Sequence, residues 1–341
     1  MKCPLTEQGV PRGSCLTHTA LSEKKPACEV TLRTKNLQYA RLIKSIHLSR
    51  PEDYLSVYQS GCNHTCLKCH SSEFSKSVNG EWISNTALAM MTEAYLGQVT
   101  VEEPHSRATM WHAEDLCLHC GSCVLYGKRS EICPKKLFPS QVVLSPQGFG
   151  PARNIVAFTG GDLTCRPDYY AQAAEAIKEA TDGKIWVLVE TNGYALTKDN
   201  LKILRDGGVD SYWLDIKAYN EESYRKLCGT PNSTILKSLY HIIDLDFTVE
   251  VLTLYIPGIV ETDQHKLIAH LIADIDPSIP TTLLAFFPSY KLKDHRAPTF
   301  NEMMMSYYIM KGEGLENIRL GNIGVFAKSD EQRTLVQTLR R

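Results

Sequence analysis

The sequence contains no apolar run long enough to cross a bilayer. Its longest runs, Ile185 to Val189 and Leu283 to Phe287, have the length of a strand, far below the roughly 20 residues of a membrane-spanning helix. The first residues, MKCPLTEQGVPRGS, also lack the apolar core of a secretory signal. We therefore predict a cytoplasmic protein without a membrane partner.

The sequence also lacks an excess of either charge. It has 37 Lys and Arg residues against 38 Asp and Glu, without a strongly basic run. Nucleic acids attract proteins that carry basic patches, so we predict no nucleic-acid partner. Internal repeats of about 20 to 50 residues are absent as well. The 341 residues, 43% of them hydrophobic, suffice for one large domain with a sizeable core.

Cysteine, in contrast, is abundant. Seven of the 12 cysteines fall into two tight groups, which in a cytosolic protein indicates metal binding rather than disulfides. In the first group, Cys62, Cys66 and Cys69 have C-x3-C-x2-C spacing. Three thiolates can bind three corners of a four-iron cluster and leave one iron open for a ligand that is not protein. The alternatives are a zinc loop, although zinc prefers four closed ligands, or three unrelated cysteines.

Strand-length apolar runs alternate with helical segments along most of the chain. The predicted strands cover 54–60, 154–162, 184–193, 211–219, 247–258 and 281–290. The predicted helices cover 167–181, 197–206, 221–244, 262–274 and 299–312. This alternation predicts parallel βαβ units, hence an α/β fold class with a partial (β/α)6 barrel. Barrels of this kind place their chemistry at the carboxyl ends of the strands.

The domain boundaries follow from this pattern. We expect a cysteine-containing, partly helical N-terminal segment over residues 1–50 and the first strand with its cysteine loop over 51–70. Residues 71–150 form an insertion that carries the second cysteine group. The remainder of the barrel covers 151–290, and a C-terminal helix with an extension covers 291–341.

Three motifs close consecutive predicted strands. Gly160-Gly161-Asp162 follows strand two, Glu190-Thr191-Asn192 follows strand three, and Asp215-Ile216-Lys217 follows strand four. Glycine lets the backbone approach a ligand closely and adopt turn angles that a side chain forbids. The alternatives are an ordinary turn and a carboxylate–lysine pair that caps the strands, because buried charges in barrels usually pair.

These motifs, in this order, resemble the radical S-adenosylmethionine (SAM) superfamily, and in particular its glycyl-radical-enzyme-activase-like group. The resemblance covers residues 54 to about 325 and implies a radical SAM barrel. It implies that Cys62, Cys66 and Cys69 hold a [4Fe-4S] cluster whose open iron binds SAM. The reduced cluster then splits SAM to a 5′-deoxyadenosyl radical.

The same resemblance assigns the cofactor-binding residues. It implies that Gly160, Gly161 and Asp162 bind the amino group of SAM, although Asp162 replaces the usual Glu. Contacts to SAM or to a monovalent cation are implied for Glu190, Thr191, Asn192 and Asp215. Lys217 is implied to neutralise charge near SAM. Ile259, in the turn Pro257-Gly258-Ile259, is implied to contact adenine unless that turn merely ends a strand.

Catalytic roles are predicted for Lys217 and Tyr290. A tyrosine at a strand end relays a hydrogen atom or rests on a cofactor, with plain aromatic packing as the alternative. Lys68 stands where the family usually has an aromatic residue. Adenine contacts are therefore expected from elsewhere.

The second cysteine group lies within the insertion. It has C-x2-C-x2-C-x9-C-P spacing and comprises Cys117, Cys120, Cys123 and Cys133. It resembles half of a bacterial ferredoxin with a lengthened spacer, which implies an auxiliary [4Fe-4S] cluster. A four-cysteine zinc site is the alternative.

The remaining cysteines leave several alternatives open. Cys3, Cys15 and Cys28, with or without His18, either hold a small metal, staple the N-terminus to the body, or are plain thiols. Cys165 and Cys228 either approach the substrate or the auxiliary cluster, or are ordinary buried thiols.

The resemblance implies hydrogen abstraction from a backbone Cα of a protein or peptide, with electrons from a donor such as ferredoxin or flavodoxin. The N-terminal and C-terminal segments resemble methanogen proteins. We therefore favour a cobalamin-dependent C-methyltransferase that modifies a glutamine of methyl-coenzyme M reductase, although a D-x-H-x-x-G cobalamin motif is missing. The alternative is a glycyl-radical-enzyme activase. A non-catalytic iron–sulfur electron carrier is a remote alternative, because a carrier needs no open iron.

Overall fold

The structure is a computed structural model, and we describe residues 3–19 and 23–339. Residues 1, 2, 20–22, 340 and 341, which belong to the predicted terminal segments, lie outside the described residues. The strands are β1 (Leu16–His18), β2 (Lys24–Pro26), β3 (Leu32–Lys35), β4 (Gln38–Leu48), β5 (Leu55–Gln59), β6 (Glu81–Ser84), β7 (Val143–Ser145), β8 (Gly148–Gly150), β9 (Ile155–Gly160), β10 (Trp186–Thr191), β11 (Ser211–Asp215), β12 (Thr248–Tyr255), β13 (Thr281–Ala285) and β14 (Ile318–Gly321).

The helices that separate these strands are mostly short in the first half of the chain and longer in the second. They are α1 (Pro4–Glu7), α2 (Ala27–Val30), α3 (Ser72–Ser75), α4 (Asn85–Leu96), α5 (Ser122–Leu125), α6 (Pro167–Ala180), α7 (Lys198–Asp206), α8 (Glu221–Cys228), α9 (Ser233–Asp244), α10 (Thr262–Ile275), α11 (Phe300–Gly312), α12 (Ile323–Phe326) and α13 (Asp330–Thr338). Short 3-10 helices cover His105–Arg107, Met110–His112, Pro139–Gln141 and Tyr290–Leu292.

One ten-stranded sheet dominates the fold. Its order is β14-β13-β12-β11-β10-β9-β5-β4-β3, and β6 also pairs with β4. From β5 through β14 the neighbours in this order pair in parallel. At the other edge, β3, β4 and β6 pair antiparallel. Helices follow the parallel strands from β9 onward, which confirms the predicted α/β class and partial barrel.

Two of the strands that the sequence pattern did not predict, β4 and β14, extend the main sheet. β14 extends the parallel sheet beyond the six predicted strands; its four residues include Arg319 and form no apolar run. β4 runs for 11 residues where the pattern indicated a polar, partly helical stretch, so that prediction was wrong. Its polar residues, among them the fully buried Arg41, obscure the apolar positions that face the core.

The insertion between β5 and β9 packs against the barrel in addition to containing the second cysteine group. It contains α4, which packs against α6 and so belongs to the helical layer outside the sheet. Its next part, residues 101–111, runs under the amino ends of the parallel strands. There the Ser211 hydroxyl donates to the Ala108 carbonyl at 2.6 Å, and the Trp111 N–H donates to Glu250 at 2.7 Å. The amino-terminal end of the barrel is therefore covered.

The core lies between the sheet and this helical layer. Fully buried side chains of this core include Phe158 of β9, Val187 of β10 and Leu283 of β13. Helix starts follow ordinary capping rules: the Thr299 hydroxyl accepts the Glu302 N–H, and the Glu302 carboxylate accepts the Thr299 N–H, so α11 begins at Phe300. Within the described ranges, every helix is too short or too polar to span a bilayer.

Candidate active site

The carboxyl ends of the parallel strands and the loop after β5 surround one cavity, here called the main cavity. Residues 60–70 form that loop, here called the cysteine loop. The predicted site residues that line the main cavity are Cys62, Cys66, Cys69, Gly160, Asp162, Glu190, Thr191, Asn192, Asp215 and Lys217. Motifs from four separate parts of the sequence thus meet at one place, as parallel strands allow when their ends share one edge.

Three of the residues predicted to bind SAM or to act in catalysis do not line the main cavity. Gly161 lies behind its wall, against the cysteine loop. Ile259 lies in the turn after β12, where its carbonyl accepts a hydrogen bond from Gln264 at 2.8 Å. Tyr290 is 39% exposed. The next residue, Lys291, donates its N–H to the Leu67 carbonyl at 3.2 Å, which places Tyr290 beside the cysteine loop.

A buried arginine from β4 holds the cysteine loop in place. The Arg41 guanidinium donates to the carbonyls of Ser60 at 3.0 Å, Gly61 at 3.2 Å and Gly161 at 2.9 Å. It also donates to the Tyr170 hydroxyl at 3.0 Å. One side chain therefore links the start of the cysteine loop to the Gly-Gly turn after β9. The sequence pattern did not reveal this residue, because a single Arg in a polar stretch resembles a surface side chain.

Glycine is required at positions 160 and 161 because a Cβ has no room there, and at 160 also because of the turn geometry. A Cβ on Gly161 would lie 2.1 Å from the Gly61 carbonyl oxygen, well inside van der Waals contact. Gly160 has φ +84°, and a Cβ there would lie 2.6 Å from the Phe74 ring. The predicted close backbone approach is present, but it occurs between the Gly-Gly turn and the cysteine loop.

Asp162 joins the ends of β9 and β10. One carboxylate oxygen accepts the Thr164 N–H and hydroxyl, both at 2.8 Å. The other accepts the Thr191 hydroxyl at 2.7 Å and the Asn192 N–H at 3.0 Å. Its backbone carbonyl accepts the Asn63 N–H of the cysteine loop at 2.8 Å. Four donors on the Asp162 carboxylate thus hold the strand ends in register, and its backbone carbonyl holds the cysteine loop.

The cysteine loop also contacts the end of α8. The Cys228 thiol donates to Cys66, and this hydrogen bond holds the pKa of Cys66 well below its usual range. Burial raises the pKa of Cys228 well above its usual range. These shifts favour the thiolate form of Cys66 and the protonated form of Cys228, whose thiol is the hydrogen-bond donor. Potential ligand atoms of His64, Cys66 and Cys228 lie within 4.8 Å of one another.

Lys76 supplies positive charge beside the thiols. Burial alone would lower the pKa of its amine, but neighbouring Cys62, Cys66 and Cys69 outweigh burial and raise it. The amine also donates to the His64 carbonyl. Lys76 follows the cysteine loop in a serine-rich helix end, so spacing alone did not mark it as a site residue.

Lys217 forms an ion pair with Asp215 on the other side of the main cavity. Burial opposes its charge, yet the Asp215 carboxylate, followed by Cys66 and Cys228, raises the pKa of the Lys217 amine. The predicted proximity of these two strand-end residues is therefore present. Lys217 stays protonated and provides a fixed cation at the wall of the cavity.

Lys68 also lines the main cavity. Its amine lies 4.1 Å from the centroid of the Phe287 ring, a cation–π contact. Phe287 follows β13 and brings an aromatic ring close to the position where the resembled family has one in the cysteine loop itself.

Glu190 projects inward from β10. Its carboxyl accepts the Tyr54 hydroxyl at 3.0 Å and the Thr159 hydroxyl. Burial raises the pKa of Glu190 to about 8, and the neighbouring carboxylates Glu52 and Glu250 add to the rise. A cation at this position would restore the ionised form by Coulomb attraction.

The second cysteine group lies at the opposite end of the sheet. The His119 N–H donates to the Cys117 sulfur at 3.3 Å, and the His119 ring bonds at 2.9 Å to Asp53, which precedes β5. Burial raises the pKa of Cys117, and Cys123 and Cys120 add to it, so these three thiols are neighbours. The five residues of β5 span about 16 Å at about 3.3 Å per residue, which separates this group from the cysteine loop.

The residues of the main cavity fit a thiolate-bound iron–sulfur cluster with SAM. Three cysteines of one loop line it, one of them prepared as a thiolate. Protonated lysines on two sides offset the negative charge of thiolates and of a SAM carboxylate. The donor set is sulfur-rich and leaves room for a further ligand, which suits iron–sulfur chemistry.

Comparisons with known proteins match parts of the chain. Residues 119–272 match the model of the Radical SAM superfamily, a range that includes the strand-end motifs and not the cysteine loop. A putative glycyl-radical enzyme activating enzyme of Methanocaldococcus jannaschii is 31% identical over 36% of this chain and 46% of its own length. An uncharacterized protein of the same organism is 26% identical over 61% of this chain and 60% of its own length.

The chain thus spans about half the length of the curated relatives that it matches. Among solved structures, a domain of a pyruvate-formate lyase-activating enzyme from Bacteroides vulgatus is 20% identical. It covers 49% of this chain and 98% of its own, with a TM-score of 0.41.

Proposed function

We propose that this chain, whose residues 119–272 match the model of the Radical SAM superfamily, is an enzyme that uses SAM to abstract a hydrogen atom from a protein or peptide. The observation that carries the proposal is the convergence of Cys62, Cys66 and Cys69 with the strand-end motifs on one cavity. A non-catalytic electron carrier does not need the strand-end motifs beside the cysteines, because a carrier closes every iron with a protein ligand.

Some residues of the site would bind the cluster, and others align the cysteine loop or balance the charge of SAM. Cys62, Cys66 and Cys69 would hold a [4Fe-4S] cluster that, with SAM bound to its open iron, supplies a 5′-deoxyadenosyl radical. Asp162 keeps the loop aligned with the strand ends. Lys217 places a cation where a carboxylate of SAM is expected.

Glu190 is the candidate contact for positive charge. Its carboxyl is buried at the inner wall, where the sulfonium or amino group of SAM or a monovalent cation would lower its pKa by Coulomb attraction. Thr191 and Asn192 follow it at the end of β10, next to Asp162. This arrangement supports the predicted cation and SAM contacts of the strand-end motif.

The substrate is proposed to be a protein or peptide. One relative is named as an activating enzyme of a glycyl-radical enzyme, which favours radical activation as the reaction. The second candidate is cobalamin-dependent C-methylation of a glutamine in methyl-coenzyme M reductase. The cysteine-containing N-terminal segment favours it, because that segment resembles methanogen proteins.

We propose that Cys117, Cys120, Cys123 and Cys133 hold an auxiliary [4Fe-4S] cluster that receives electrons from ferredoxin or flavodoxin. The group lies at the amino end of β5, away from the main cavity. Tyr126 beside it is 72% exposed. A donor can therefore dock here without blocking the substrate.

The test is anaerobic reconstitution with iron and sulfide, followed by SAM and dithionite, with 5′-deoxyadenosine as the readout. We expect Cys66→Ser to abolish this product and to lose about four irons per chain. Cys133→Ser is the matched control: it should lose iron yet retain the product, since dithionite reduces the SAM-binding cluster directly. Undiminished 5′-deoxyadenosine from Cys66→Ser would refute the site.

The product then separates the two reactions. A glycyl radical signal without a mass change on the partner supports activation. A gain of about 14 Da, one CH2 unit, on a glutamine-containing peptide in the presence of methylcobalamin supports methylation. Free 5′-deoxyadenosine with neither change on the supplied proteins would contradict both partner assignments.

A further inference from the structure

Four cysteines that belong to neither cysteine group line a second cavity, here called the N-terminal cavity. They are Cys3, Cys15, Cys28 and Cys165. Cys165 is buried, and the other three are partly buried. Among the described residues, none of the four forms a disulfide. A cavity walled by four reduced thiols is unusual, because isolated buried cysteines normally pack as small apolar residues among unlike neighbours.

The fold brings the four together from distant parts of the chain. Cys3 immediately precedes α1. The Ala27 N–H donates to the Cys15 carbonyl at 2.8 Å, and β1 pairs with β2, so Cys15 lies next to Cys28. Cys165 arrives from the loop between β9 and α6. The sequence therefore shows three of these cysteines in one segment, and only the tertiary structure supplies the fourth.

The four thiols share one electrostatic environment. All four line the same cavity, and the Cys165 thiol interacts electrostatically with Cys28, Cys3 and Cys15. His18, the other ligand considered from the sequence, does not line the N-terminal cavity. Its N–H instead donates to the Lys76 carbonyl at 3.0 Å. The candidate ligand set is therefore four sulfurs and no imidazole.

Two arginines provide the charge balance that a metal site of this kind needs. Arg12 and Arg166 both line the N-terminal cavity. The Glu29 carboxylate lines this cavity as well, so the charged side chains around the four thiols are two positive and one negative. Four thiolates around Zn²⁺ or around a four-iron cluster carry a net charge of about −2 in either case. The two guanidinium groups, less the charge of Glu29, offset part of that charge.

We propose that Cys3, Cys15, Cys28 and Cys165 hold a metal centre with four thiolate ligands. The metal class is thiophilic, and both a four-iron cluster and a zinc ion take four cysteine ligands. Among the described residues, no three of these four sulfurs lie within 4.8 Å of one another, which favours the wider ligand spacing of the cluster; a zinc ion would require the sulfurs to move closer. Because four thiolates close the ligand shell, this centre has no open position and does not bind SAM. It is separate from both cysteine groups described above.

The position of the centre gives it a structural task. Asn63 and Leu163 also line the N-terminal cavity. In the sequence they directly follow Cys62 and Asp162, which line the main cavity. A Cβ on Gly13 would lie 2.5 Å from the Asn63 carbonyl oxygen, so the N-terminal segment rests on the cysteine loop. The centre therefore fastens that segment against the back of the loop.

The first test uses the full wild-type chain, purified without oxygen. Native protein is treated with iodoacetamide before and after metal removal with a strong chelator, and alkylated cysteines are located by peptide mass mapping. We expect all four cysteines to be protected at first and to react together once the metal is gone. Rapid alkylation of the partly buried Cys3, Cys15 and Cys28 in metal-replete protein would overturn the proposal.

The second test is metal analysis of variants. Cys165→Ser and Cys28→Ser should each lose one zinc, or about four irons with their sulfide, relative to the wild type. Ser14→Ala, in the same segment, should keep the full metal content. Loss of zinc identifies a zinc ion and loss of iron with sulfide identifies a cluster; either supports the centre. Unchanged metal content in natively folded variants, or a disulfide within the four, overturns it.

Discussion

Replacement of Arg41 by methionine is expected to loosen the cysteine loop and to lower its capacity for iron. Arg41 is fully buried in β4 and donates four hydrogen bonds, three of them to backbone carbonyls of the cysteine loop and the Gly-Gly turn. Methionine fills much of the same space with an unbranched apolar chain and donates none of these bonds.

The magnitude follows from the number of lost bonds. A hydrogen bond to a charged group contributes about 1.5 to 3 kcal/mol, and part of that is recovered because the cost of burying the guanidinium disappears as well. We therefore expect the free energy of unfolding to fall by about 4 kcal/mol. This corresponds to a roughly thousandfold change in the ratio of folded to unfolded chains.

The assay is urea denaturation of the metal-free protein, together with iron content and 5′-deoxyadenosine formation after reconstitution. Arg41→Lys should recover part of the stability, since a lysine reaches fewer of the three carbonyls. Arg33→Met is the matched control: Arg33 lies on the neighbouring strand β3, is exposed, and contacts the Trp82 ring at 4.3 Å. We expect that control to change the free energy of unfolding by less than about 1 kcal/mol.

The reasoning is refuted if Arg41→Met unfolds at the same urea concentration as the wild type and binds a full complement of iron. A loss of stability with normal iron content would instead show that Arg41 supports the sheet and not the loop. Only the combined loss establishes Arg41 as a positioning residue.

Three further outcomes are expected. Because folding raises the pKa of Glu190 from 4.5 to about 8 by burial, the unfolded state binds fewer protons between these values, and the free energy of unfolding falls as the pH rises from about 5 to about 8. Glu190→Gln should reduce that slope in urea titrations, and an unchanged slope would assign it to other carboxyls. Gly161→Ala should lower iron content at least about tenfold, since its Cβ would lie 2.1 Å from a carbonyl oxygen of the cysteine loop. The control Gly312→Ala, whose Cβ would meet nothing within 4 Å, should leave the iron content unchanged. Lys217→Met should weaken SAM binding about tenfold, or about 1.4 kcal/mol, in equilibrium dialysis at normal iron content; full affinity would exclude its charge from the SAM site.

The order of short motifs along the chain was enough to predict that three strand-end motifs meet at one edge of the sheet. Gly160, Glu190 and Asp215 each follow an apolar strand, and parallel strands bring such ends to one edge. The same reasoning failed for β4 and β14, whose polar or very short sequences show little of the apolar pattern. Ile259 lies in a turn outside the lining of the main cavity, and its contact with adenine stays a prediction.

The sequence by itself determined the local features of this protein: the spacing of the thiols in each loop, the glycine turns, and the alternation of strands with helices. These depend on residues that are neighbours along the chain. The tertiary structure alone decided that Cys165 meets the N-terminal cysteines, that Cys228 donates to Cys66, and that Arg41 clamps the loop. Such contacts join residues that are more than a hundred positions apart in the sequence or lie on separate elements. The packing of those elements decides which residues meet, and a local sequence pattern does not contain that information.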